Sequence, residues 1–167
     1  VGSEMCIRDR FKIMQIADTQ EIPAVSPDTL SLINNALDRE KPDLVIFTGD
    51  QIKGYSKKFK KDPAIIESTI DTLVEPIAKR NIPFMVTYGN HDAQCGVDNL
   101  GQYKFYAKYD NFISGDLRNA DDVGTADIQI YSSTEDKPVF ELYIIDSHGK
   151  AKDGAGYAPV DKKQIEW

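Results

Sequence analysis

Three short apolar runs, each ending in a polar loop, constrain this chain more than any other feature of it. Residues 11–17 run into Asp18, Thr19 and Gln20; residues 44–48 run into Gly49 and Asp50; residues 84–88 run into Gly89, Asn90, His91 and Asp92. Runs so short, nearly continuous and rich in β-branched or aromatic residues suit strands buried on both faces, as in a parallel sheet. The stretches between them read as helices. Ser26-Pro27 is a cap followed by proline at the first helical position, and Leu30, Ile33 and Leu37 then share one face. Asp62-Pro63 repeats that start ahead of Ile66, Ile70, Leu73 and Ile77, an apolar stripe at helical spacing. The intervals from Asp18 to Asp50 and from Asp50 to Asn90 fit the ~30 or more residues of a βαβ unit. Right-handed crossovers would put the carboxyl ends of all three strands at one sheet edge, where open α/β sheets bind ligands.

After Asn90 the pattern changes. Residues 98–108 read as a short helix carrying Leu100, Tyr103 and Tyr106, and residues 126–132 and 139–146, joined by a polar turn, read as a β-hairpin. A parallel half followed by an antiparallel meander predicts an α/β fold with a second sheet packed on the first, and then a Gly-rich loop over residues 147–159. The opening VGSEMCIRDR has neither helix nor strand periodicity, so residues 1–10 read as a non-native tail. At the other end DKKQIEW starts a helix capped by Asp161 and stops without a closing signal. Residues 11–167 therefore read as a single domain truncated on its C-terminal side, and 167 residues at 41% apolar content suffice for one core.

Charge and cysteine exclude several function classes. Twenty basic against 27 acidic residues leave a net charge of −7, which argues against broad electrostatic binding to nucleic acid. No apolar run approaches the ~20 residues that cross a bilayer, so no membrane partner is expected. Cys6 and Cys95 are too few for a disulfide framework or a thiolate zinc cluster, and the lack of an apolar signal region points to the cytoplasm. No G-x-G-x-x-G or P-loop spacing follows any strand, against a nucleotide-binding domain.

The chemistry should sit where the runs end. Carboxylates of Asp18 and Asp50 gathered at one edge repel each other, so such a cluster needs a cation or a shared proton. With Asn90 they form a hard to borderline ligand set suited to Mn, Fe or Zn, with Mg possible. Asp50, on the middle loop, could bridge two ions ~3.5 to 4 Å apart.

The ordered trio of strand-Asp18, strand-Gly49-Asp50 and strand-Gly89-Asn90-His91-Asp92 resembles the first three motifs of the calcineurin-like metallophosphoesterases, a superfamily that includes the purple acid phosphatases. The resemblance implies the N-terminal part of a two-sheet α/β/β/α sandwich, a dinuclear centre of two divalent metal ions, and hydrolysis of small phosphate esters by a metal-bound hydroxide. It places Asp18 on the first metal, Asp50 on both, Asn90 on the second and His91 near the leaving group, with Asp92 holding the His91 ring. Departures from the pattern matter too. Gln20 stands where the superfamily usually has a histidine, and it reads either as a neutral and weaker metal ligand or as an ordinary loop residue. Purple acid phosphatases use a tyrosine at the position of Lys53, whereas here Tyr55 comes two residues later; many members have another Asp there, so Lys53 could instead face the substrate phosphate. The later histidine motifs of the superfamily are absent from the sequence, as expected if the domain is truncated. A catalytically impaired phosphate-binding or interaction module on the same fold is the alternative reading.

Other signals have plainer explanations. Lys57, Lys58, Lys60 and Lys61 read as a solvated loop face, Tyr103, Tyr106 and Tyr109 as packing residues, and His148 as a structural or pocket-wall histidine at a strand end.

Overall fold

The structure, a computed structural model, describes residues 10–114, 123–151, 154 and 156–166. The opening tail, apart from Arg10, lies outside the described residues, as does Cys6.

Three parallel strands, β1 (Ile13–Ile16), β2 (Leu44–Thr48) and β3 (Phe84–Thr87), form a sheet in chain order, with Ile13 opposite Leu44 and Val45 opposite Phe84. Helix α1 (Pro27–Glu40) connects the first two. Its start is set by Ser26, whose hydroxyl accepts the Asp28 N–H, and by Pro27, which needs no N–H partner there. Helix α2 (Pro63–Ala78) connects the next two and is capped in the same way, Asp62 Oδ1 accepting the Ala64 N–H at 2.9 Å. The chain then passes through α3 (Asn99–Ala107), capped by Asp98, to the antiparallel hairpin of β4 (Ala126–Tyr131) and β5 (Pro138–Ile144). A final short helix, α4 (Lys162–Glu166), is closed by a reciprocal pair: Asp161 Oδ1 accepts the Gln164 N–H and Gln164 Oε1 accepts the Asp161 N–H.

Alternation along β2 and β3 divides the core in two. Val45, Phe47, Phe84 and Val86 meet the helical layer through Leu37, Ile66, Ile70, Leu73, Ile77 and Tyr106. Leu44, Ile46 and Met85 point the other way and meet Ala126 and Ile144 of the hairpin, so the expected second sheet packs on the first. Each such side chain withdrawn from water contributes about 1.5–3 kcal/mol, and this is what fixes the strand ends in space.

β1 departs from expectation. Met14 and Ile16 reach the helical core, but Ile13 is 40% exposed, so this strand is not buried on both faces. β1 and β3 are the two edge strands of the sheet; the hairpin packs on residues of β2 and β3 and not on β1, which leaves Ile13 uncovered. Of the three residues noted on α3, Leu100 is exposed while Tyr103 and Tyr106 are buried. The four lysines of residues 57–61 are exposed, as a solvated face would be.

Candidate metal centre

At the carboxyl ends of β1, β2 and β3 a cleft of about 330 Å³ opens, lined by Asp18, Asp50 and Asn90 on the sheet side and by Ser147, His148 and Tyr157 from the loop after β5. The three residues read as principal metal ligands thus share one cleft. Two of them are held in an uncommon backbone conformation: φ is +53° at Asp18 and +51° at Asp50. Asp and Asn enter this left-handed region several-fold more readily than most side chains do. Main-chain bonds hold the turns there. Asp18 N–H donates to Gly49 C=O at 3.1 Å, Gln20 N–H to Asp50 C=O at 2.9 Å and Glu21 N–H to Gln51 C=O at 3.1 Å, so pairing between the first two segments continues past the ends of the strands.

Two glycines let the second and third loops touch. A Cβ on Gly49 would lie 2.3 Å from the Gly89 nitrogen, and one on Gly89 would lie 2.1 Å from Asp50 Oδ1. Gly49 also has φ +101°, a conformation glycine adopts without steric penalty. The Asp50 carboxylate is oriented by the third loop, its Oδ1 accepting the His91 N–H at 2.8 Å.

Asp92 ties the same loops together from beneath. Its carboxylate, 2% exposed, accepts the Gly89 and Asp50 N–H groups at Oδ2 (2.8 and 2.7 Å) and those of Gln51 and Ile52 at Oδ1 (3.0 and 3.3 Å). Burial pushes this carboxyl up to about 6, against the downward pull of its N–H donors on Gly89, Ile52 and Asp50. Asp92 therefore differs from its expected role beside the His91 ring. That contact belongs to Gln94, whose Oε1 is 3.1 Å from His91 Nδ1, because all the acceptor capacity of Asp92 is turned to the backbone.

The His91 ring stands outside the cleft lining, edge-on to Tyr55 with ring centroids 4.8 Å apart. The Tyr55 hydroxyl donates to Gln20 Oε1 at 3.3 Å, and Lys53 Nζ lies 5.2 Å from the centre of the Tyr55 ring. Gln20, Lys53, Tyr55 and His91 thus form one cluster beside the cleft, with the Gln20 carbonyl turned to a hydroxyl.

Sequence reasoning passed over two supports. A Cβ on Gly54 would come within 2.0 Å of the His91 carbonyl, so glycine is what allows the second loop to cross the third. Gln102 of α3 is 1% exposed and donates to Asp92 C=O (2.8 Å) and Val97 C=O (2.9 Å), bracing the turn that carries Asn90. Gly54 has a recognisable signal as a lone glycine in a loop; Gln102 looks like an ordinary polar position on a helix.

Among the described residues no three His, Cys, Asp or Glu side chains group into a ready metal cage. The cleft offers two carboxylates, from Asp18 and Asp50, and the amide carbonyl of Asn90. This oxygen donor set fits a hard or borderline divalent cation and supplies part of its shell.

Comparison with known proteins bears on the family and the fold. The family model for calcineurin-like phosphoesterases matches residues 11–165. The chain is 29% identical to phosphatase DCR2 of Saccharomyces cerevisiae over 95% of its own length and 30% of that protein's. It is 27% identical to probable inactive purple acid phosphatase 14 of Arabidopsis thaliana, covering 89% of this chain and 42% of that one. A crystal structure of a dimetal phosphatase from Danio rerio superposes with a TM-score of 0.58 at 15% identity, over 93% of this chain and 49% of that one. The chain spans less than half the length of these relatives.

Proposed function

The chain belongs to the calcineurin-like phosphoesterase family, and from that premise we propose that it contributes the metal-binding half of a phosphate-ester hydrolase. The observation that carries this reading is the convergence of Asp18, Asp50 and Asn90 on one cleft. Asp18, Asp50 and Asn90 would hold two divalent ions, with Gln20 able to join them by turning away from Tyr55. Such ions offset the charge of a phosphate ester and acidify bound water, the two demands of phosphoryl transfer.

The protein's own residues orient and brace. His91 N–H fixes the Asp50 carboxylate, Asp92 fixes the loops around it, and the His91 imidazole, edge-on to Tyr55, would meet the leaving group. The test is to strip the intact protein with chelator, reload it with Mn, Zn or Fe, and follow p-nitrophenyl phosphate and bis-p-nitrophenyl phosphate. Turnover that returns with metal and is lost in Asp50→Asn supports the reading; absence of both metal uptake and turnover refutes it.

A second reading has its own support. The Gln20 carbonyl is engaged by Tyr55, and relatives carrying the name "probable inactive" share the family. A metal-poor phosphate-binding module would take up phosphate without turnover in the same experiment.

A further inference from the structure

Among the described residues that line the cleft there are two carboxylates and one side chain able to carry positive charge, His148. From this we infer that His148 is the side chain that binds the phosphoryl oxygens of an ester seated over Asp18 and Asp50, an inference that rests on the phosphoesterase reading and adds a substrate-binding residue to it.

The chain has two histidines, and the structure separates their surroundings. His91 turns its ring to Tyr55 and Gln94, outside the cleft lining. His148 stands across the cleft from the sheet edge, next to Ser147, and its Nε2 is 4.0 Å from Asp161 Oδ2, close enough for an ion pair when the ring is protonated. An anion approaching Asp18 and Asp50, even with cations between, needs donors on its outward side, and an imidazole N–H there gives a charge-assisted hydrogen bond.

The backbone around His148 is held with unusual care for a loop. His148 has φ +64°, and its N–H donates to Asp146 Oδ1 at 2.8 Å. Asp146 is itself buried and anchored on every side. Asn99 of α3 donates to its Oδ2 (3.1 Å), its own N–H donates to Thr125 Oγ1 (3.1 Å), and Gln164 of α4 donates to its carbonyl (2.7 Å). Three separate segments thus fix the residue that positions His148. Left-handed conformation at a side-chain-bearing residue persists where surrounding structure over-determines it, and such residues cluster at functional sites.

Methylphosphonate is a suitable probe, since it mimics a phosphate monoester, cannot be hydrolysed and is too small to engage a leaving-group contact. Calorimetry on the intact protein measures metal affinity first, then methylphosphonate affinity with metal saturating, for wild type, His148→Asn and His148→Gln. Asparagine tolerates φ above zero, so the backbone of the first variant is preserved; matching thermal melts confirm folding, and His148→Gln serves if the first variant does not fold. We expect the His148 variants to bind methylphosphonate at least about tenfold more weakly, as loss of a hydrogen bond to a charged group predicts. Metal affinity should stay within about twofold. In wild type, methylphosphonate should shift the His148 imidazole signals in a carbon-13 correlated spectrum. Unchanged methylphosphonate affinity in the His148 variants, or no binding by metal-loaded wild type, overturns the inference and leaves the metal reading standing. A parallel loss of metal affinity also overturns it, because His148 would then be a metal ligand. Failure of wild type to bind any metal removes the phosphoesterase reading, and this inference with it.

Discussion

Replacing Gly89 with alanine probes the site at its tightest contact. The new Cβ would stand 2.1 Å from Asp50 Oδ1, 2.6 Å from Asp50 Cγ and 2.6 Å from the Asp50 nitrogen, where real Cβ atoms essentially never come within 3.0 Å. Two of those atoms belong to the carboxylate, but the third is backbone already bonded to Asp92 Oδ2 at 2.7 Å. Rotating the side chain therefore does not clear the clash, and the two loops have to part by about 1 Å, a misplacement that costs on the order of a hundredfold at a functional site. Forcing a methyl into packed surroundings costs a further about 1–3 kcal/mol of stability. Calorimetric titration with Mn or Zn measures the first effect and urea unfolding the second. We expect metal affinity to fall roughly a hundredfold in a protein that still folds. A folded Gly89→Ala that binds metal as tightly as wild type would show that the close approach of these loops has nothing to do with the site.

Two more outcomes follow from the same geometry. Asp92→Ala leaves four backbone donors, on Gly89, Asp50, Gln51 and Ile52, without their acceptor; at about 1–3 kcal/mol for each buried orphan, partly relieved by entering water, the loss should be about 4 kcal/mol, read as a lower urea midpoint at unchanged slope. Saturating metal at about 100 times its dissociation constant should stabilise wild type by about 2.7 kcal/mol, and chelator or Asp50→Asn should abolish that rise in thermal melting temperature.

Much of this was readable from residue order alone. Capping pairs Ser26-Pro27 and Asp62-Pro63 mark the starts of both long helices, and three apolar runs give the parallel sheet, because short-range chemistry decides each. The family and its fold follow from the motif trio, and the family match covers residues 11–165. The exposure of Ile13 was not readable, since a run of apolar residues does not say which strands the hairpin will cover. Nor was the work of Asp92: its neighbour in sequence suggested a ring partner, while its four actual partners include three from the loop after β2, brought near only by folding. The same holds for Gln102, whose amide closes a turn it does not adjoin.

The left-handed turns at Asp18 and Asp50 are secured by main-chain carbonyls, by glycine and by a carboxylate beneath, with little demand on what the exposed side chains are. A side chain beside the cleft, such as Gln20, can therefore change while the cradle stays intact. Shape and reactivity are inherited separately in such a scaffold, so descendants that lose one have no reason to lose the other.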